Sequence, residues 1–289
     1  MSQVAEKVFS RLYYEACMAE LSALKPGNVH IFADGHGMVV QDFIKSADAS
    51  MDAISKSEIG VGERILGAVE QTWQAVACNT NLGIILLAAP LIQTSLIWTS
   101  LTEKSCEHGA LSEAKLGQVL QNLSVEDAKF AFKAIQLASP AGLGSADEHD
   151  VHHVPDDTLL AAMQAAASRD LIAQQYANGF ADVFAGVQVY VEHLAKWERP
   201  AWAVTAVYLS FLAKFEDSHI ARKYGQDVAK SIQKQAQQHY AELTSLENPK
   251  LYQASLLTWD AELKKQGINP GTSADLTVAT ILANSLMNI

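Results

Sequence analysis

The 289-residue sequence predicts an all-α protein, a single domain (1–289) of about a dozen helices. Three observations carry that prediction. Apolar residues recur at helical spacing along the chain, capping signatures stand in front of several of these runs, and strand-like alternation is nearly absent. No Gly/Ser/Pro linker, low-complexity stretch or internal repeat divides the chain, and a composition that is 49% hydrophobic and 18% charged can bury a large core.

The first helix, 3–23, is ended by Pro26 and Gly27. Helices at 39–56 and 61–76 follow. The helix expected at 80–97 contains the most apolar run, Leu82 to Ile92, eleven residues interrupted by Pro90. That run falls short of the roughly twenty residues a membrane span needs, so it reads as a buried helix. After 112–121, Ser124 and Asp127 form a capping-box-like start to 125–138, ahead of Phe130, Phe132, Ile135 and Leu137. The helix at 157–176 is alanine-rich from Leu159 to Ala167, which permits close packing. In 179–196 the alternation from Val187 to Val191 sits inside a longer alanine-rich pattern, and length arbitrates for a buried helix. Helices at 200–215 and 219–243 precede Asn248 and Pro249, an N-cap followed by proline at the first helical position of 249–266. Thr272 to Asp275 repeats the capping pattern before 272–288.

A net charge of −11 with 21 scattered Lys and Arg residues excludes a generic nucleic-acid surface. The partners expected are small molecules, with no nucleic acid and no membrane; a homo-oligomer is compatible. Cys17, Cys78 and Cys106 are odd in number and too far apart for CxxC motifs, which fits a reducing compartment. No apolar signal segment opens the sequence, and the expectation is a soluble cytoplasmic protein.

The densest polar cluster runs from Ser145 to Asp157, with four aspartates, one glutamate and three histidines. Asp147 and Asp150, three apart, face the same way on a helical turn, and their oxygens suit Mg²⁺ carrying a substrate phosphate. His149, His152 and His153 would recruit a softer metal, whereas a solvated loop with Asp156 or Asp157 as a helix cap is the plain alternative. Lys25, Asn28 and His30 lie after the first helix, where Lys25 and His30 either face a ligand or belong to an ordinary helix terminus. Asn79 to Gly83 precedes the buried helix, where free backbone N–H groups would hold an anion or Asn79 or Thr80 serve as an N-cap. Gln174, Asn178 and Asp182, four apart, stack on one helix face. Arg169 beside Asp170, and Arg222 and Lys223 near Asp217, place cations beside carboxylates, as a triphosphate site or surface ion pairs would.

Lys25-Pro-Gly, Asn79-Thr80, Asp217 with Ile220 and Arg222, and the segment from Pro270 to Asp275 occur in this order across nearly the whole chain. Together they resemble the triphosphoribosyl-dephospho-CoA synthase family, in a divergent branch like that of archaea and methylotrophs. The resemblance implies an all-helical fold and transfer of the triphosphoribosyl group of ATP to the 2′-hydroxyl of 3′-dephospho-CoA, with release of adenine. It departs from the usual pattern at His30, where typical synthases have aspartate, and at Asn81 and Leu82, where they have His and Lys. An acceptor from pterin or furan cofactor biosynthesis, or a non-catalytic nucleotide-binding or scaffolding role, are the alternatives. On the leading reading, Asp217 is the general base with Asp275 in reserve. Lys25, Asn28, His30, Asn79, Asn81, Arg169, Asn178, Arg222 and Lys223 contact substrate and its phosphates, while Asp147, Asp150 and Asp182 hold Mg²⁺.

Overall fold

A computed structural model describes residues 3–101, 110–138 and 153–289. Among them are fourteen α-helices and one short 3-10 turn, with no strand beyond isolated bridges at residues 30–38. The helices are α1 (Gln3–Leu21), α2 (Val40–Ser55), α3 (Val61–Val76), α4 (Leu82–Leu101), α5 (Glu113–Gln121), α6 (Val125–Ala138), α7 (Leu159–Ala166), α8 (Leu171–Asn178), α9 (Ala181–Trp197), α10 (Pro200–Lys214), α11 (Ser218–Tyr224), α12 (Gln226–Ser245), α13 (Gln253–Lys265) and α14 (Gly271–Met287).

Two expected helices are each divided. The one at 157–176 breaks before Asp170, whose carboxylate accepts hydrogen bonds from the N–H groups of Ile172 (2.9 Å) and Ala173 (3.1 Å) and so starts α8. The one at 219–243 breaks at Gly225, whose φ of +90° a residue with a side chain rarely adopts. Thr158, not Asp156 or Asp157, caps α7 by accepting from Ala161 N–H. The capping box of α6 is present: Asp127 N–H donates to Ser124 Oγ, and Ser124 N–H donates to the Asp127 carboxylate.

The core is organised around α4 and α14, which pack together and are flanked by α1, α2, α3, α9 and α10. Helix α4 continues through Pro90 to Leu101, longer than the apolar run alone suggested, and its stretch from Leu82 to Ser100 has the length and apolarity of a membrane span. Within the fold it is a central helix: Ile85, Leu87, Leu91 and Ile92 have no exposed surface. Each such side chain contributes about 1.5–3 kcal/mol by leaving water. A second apolar cluster, from α10, α12 and α13, holds Tyr208, Leu212, Ile232 and Leu256 and buttresses α14 through Ala274.

Candidate active site

A cavity of about 670 Å³, within the range of small-molecule sites, opens around the first turn of α4. Its two sides differ in chemistry. Helices α3, α6 and α7 supply apolar side chains, among them Trp73, Phe132, Ile135 and Met163. The polar part of the lining comes from Glu20 of α1, Asn28, His219 and Arg222 of α11, and Thr272 and Asp275 of α14. The segment Asn79 to Gly83 lies between the two sides, because Thr80 donates to Ser46 Oγ (2.6 Å) and Asn81 to Ser50 Oγ (3.4 Å), tying it to α2. Asn79 accepts from Leu82 N–H and caps α4. The positive end of a twenty-residue helix thus borders the cavity, a setting that favours an anion.

Asp275 is the most perturbed group facing this space. It lines the cavity, is otherwise enclosed by protein, and among the described residues has no hydrogen-bond donor paired with it. Burial pushes its carboxyl pKa well above the ordinary aspartate value, and the negative charges of Asp217 and Glu20 push it further, against a smaller opposing pull from Arg222. The carboxyl rests on the start of α4: a β-carbon at Gly83 would lie 2.1 Å from Asp275 Oδ2. Only glycine leaves that space.

Arg222 is held by an ion pair with Asp170 (2.5 Å), so the N-cap of α8 also aims the guanidinium at the cavity. Among the described residues its buried Nε has no partner. His219 faces the same space. Burial lowers its pKa, with Asp217 opposing and the cations Arg222 and Lys223 reinforcing, so the imidazole is held toward its neutral form.

The cavity brings together six residues singled out from sequence: Asn28, Asn79, Asn81, Arg169, Arg222 and Asp275. Asp217, expected as the base, is fully buried and does not line the cavity. Its Oδ1 accepts from His219 and Ile220 N–H, and its Oδ2 from the N–H and hydroxyl of Ser273 (2.8 Å each), so it caps α11 and fastens the first turn of α14. That also replaces the expected cap of α14, in which Asp275 lies beyond the first turn. Lys25 is fully buried, its ammonium enclosed by Glu20, Asn28 Oδ1 (3.0 Å) and Val29 carbonyl (2.7 Å), which leaves it no hand for a phosphate. Burial lowers its pKa while Glu20 opposes.

His30 is likewise enclosed, 3.3 Å from Asp260, whose other oxygen accepts from Gly27 N–H (2.8 Å) and so ties the Lys25 loop to α13. Asp182 accepts from Gln175 (3.0 Å), Asn178 (2.8 Å) and Lys214 (2.7 Å), and neither Asn178 nor Asp182 lines the cavity. Lys223 is exposed over the Tyr224 ring and does not line the cavity. Asp147 and Asp150 lie outside the described residues, and among the described residues no group of three His, Cys, Asp or Glu has the placement to hold a metal ion.

Sequence reasoning did not assign Glu20, Asp170, His219 and Thr272 to the site. Asp170 carried a signal, a carboxylate beside Arg169, but Glu20 and His219 converge only through the packing of α1 and α11 around α14.

Comparison with known proteins agrees with this fold. The chain is similar to a protein from Archaeoglobus fulgidus assigned as a triphosphoribosyl-dephospho-CoA synthase, whose crystal structure superposes with a TM-score of 0.63 at 22% identity, covering 84% of this chain and 97% of that one. No individually curated protein matches. Residues 6–289 match the family CitG, ATP:dephospho-CoA triphosphoribosyl transferase, and the chain belongs to that family.

Proposed function

We propose that the protein transfers the triphosphoribosyl group of ATP to a hydroxyl of 3′-dephospho-CoA or a related nucleotide-like acceptor, releasing adenine. Family membership supports the reaction class, and one observation supports the site: an unpaired, desolvated carboxyl, Asp275, faces a cavity bordered by a helix N-terminus and two arginines.

The acceptor oxygen attacks C1′ of the ATP ribose as the bond to adenine breaks, through an oxocarbenium-like transition state and with inversion. Asp275 takes the proton of the acceptor hydroxyl. An ordinary aspartate is a weak base, whereas burial and neighbouring carboxylates raise the proton affinity of this one. Arg169, Arg222 and the start of α4 hold the triphosphate, fixing C1′ against the acceptor, and such positioning supplies much of the rate.

Mg²⁺ would enter with ATP. Glu20 lines the cavity with one carboxylate oxygen on Lys25 and the other without a partner among the described residues, a donor that suits a hard cation, and a phosphate-bound Mg²⁺ needs only one or two protein carboxylates. Asp147 and Asp150 are the proposed ligands; bound there, the ion would neutralise phosphate charge.

The test is adenine release by the purified protein from ATP with Mg²⁺ across a panel of hydroxyl acceptors that includes 3′-dephospho-CoA, with the product mass showing an added triphosphoribosyl group. The wild type is expected to release adenine in step with acceptor consumption, and Asp275→Asn to lose it. Absence of adenine with every acceptor would sink the reading.

A further inference from the structure

The apolar side of the cavity has no role yet beyond shape. Every residue that α3, α6 and α7 contribute to the lining is apolar or aromatic, while those from α1 and α11 are charged or titratable. Trp73 stands where the apolar side meets the Asn79 segment. It is partly open to the cavity, and among the described residues its indole N–H has no partner and its ring no aromatic neighbour. Phe132, Ile135 and Met163 complete a surface that offers a flat ring dispersion and little to hydrogen-bond.

A tryptophan ring that borders a cavity and has no aromatic neighbour among the described residues can take a flat base against its face. Asn79 adds a second donor nearby: its Oδ1 is used on Leu82 N–H, and its Nδ2 is free among the described residues. Guanidinium groups suit phosphate, not a base, and neither arginine of the lining comes from α3, α6 or α7.

We propose that Trp73 is the base-binding residue of this cavity, stacking the adenine of a bound nucleotide against the α3–α6–α7 side while its phosphates reach toward Arg222. This rests on the nucleotide reading of the cavity. ATP and 3′-dephospho-CoA both carry adenine, so the shared chemistry is an adenine nucleoside, and the test assigns it to donor or acceptor.

Calorimetric titration separates the two ends of the ligand. Adenosine, inorganic tripolyphosphate, ATP and 3′-dephospho-CoA are titrated into the wild type, Trp73→Ala, Trp73→Phe and Arg222→Gln. Stacking on an aromatic side chain is worth about 1–3 kcal/mol, which is roughly a five- to hundredfold change in affinity. Adenosine binding is expected to weaken by at least tenfold in Trp73→Ala, with tripolyphosphate unchanged, and Trp73→Phe is expected to keep most of it. Arg222→Gln is expected to do the reverse. Unchanged tripolyphosphate binding also shows that a variant is folded.

A loss in Trp73→Ala confined to ATP assigns the stacked base to the donor, and one confined to 3′-dephospho-CoA assigns it to the acceptor; either supports the proposal. Equal adenosine affinity in wild type and Trp73→Ala, no adenosine binding by the wild type, or parallel loss of adenosine and tripolyphosphate overturns it. Adenosine binding that depends on Trp73 without any adenine release would reject the transfer reaction and leave this subsite standing.

Discussion

Gly83 and Asp275 share one space: the Asp275 carboxylate on α14 occupies the volume that a side chain at position 83 would need, 2.1 Å from an added β-carbon. Alanine is the better helix former, by about 1 kcal/mol in a helix interior. Gly83→Ala is therefore expected to preserve helical content yet displace Asp275 and lower turnover by about a hundredfold or more, the scale of a lost proton-transfer group. Circular dichroism with turnover measured on the same sample checks it. Near-normal turnover would mean that Asp275 need not stay where it is.

The Asp275 carboxyl also predicts how stability depends on pH. A carboxyl whose folded pKa stands above its unfolded value stabilises the fold below the unfolded pKa, and that contribution is lost as pH rises through the folded value. At neutral pH the raised carboxyl is a cost to the folded state that Asn does not carry. Asp275→Asn should thus melt higher than wild type at pH 7, by about 2 °C or more, and the gap should close in acid. A lower melting temperature for the variant at pH 7 would contradict the assigned environment.

Turnover should rise with pH as Asp275 ionises, with an acid limb displaced above the ordinary aspartate range. Asp217 helps set that limb, because its charge raises the Asp275 pKa. Asp217→Asn is expected to lower stability by about 1–3 kcal/mol through its four lost or weakened hydrogen bonds, and to move the limb to lower pH with turnover largely retained. A pH–rate profile and a denaturant melt separate these effects. A hundredfold drop in turnover with the limb unmoved would return Asp217 to the role of base.

Asp147→Asn combined with Asp150→Asn should weaken ATP binding in the presence of Mg²⁺ and leave the binding of free tripolyphosphate without metal unchanged, since a neutral amide holds a hard cation poorly. ATP affinity measured with and without Mg²⁺ decides it. A double variant that responds to Mg²⁺ as the wild type does would make the acidic stretch a solvated loop.

Helix period and capping were legible in the sequence wherever they are local. The Ser124–Asp127 box and the Asn248 cap stand where the pattern places them. The breaks at Asp170 and Gly225 were not read, because the flanking helices continue the same apolar spacing on either side. At the site, residue type alone could not separate a carboxylate that lines the cavity from one that caps α11 and fastens α14. Asp217 and Asp275 differ in what surrounds them, and those surroundings come from Ser273, Gly83 and Glu20, remote from at least one of the pair in the chain. Lys25 misleads for a nearer reason: its partner Glu20, in the last turn of α1, folds back onto it and seals it off.

The packing of α14 against α1 and α4 has a kinetic corollary. Glu20, Gly83 and Asp275 meet only after long loops have closed, and contacts of such sequence separation form late and slowly. No fragment holding α1 to α4 alone has the cavity. If the cavity binds nucleotide, its affinity in a refolding experiment reports the docking of α14 and is expected to lag behind the recovery of helical signal.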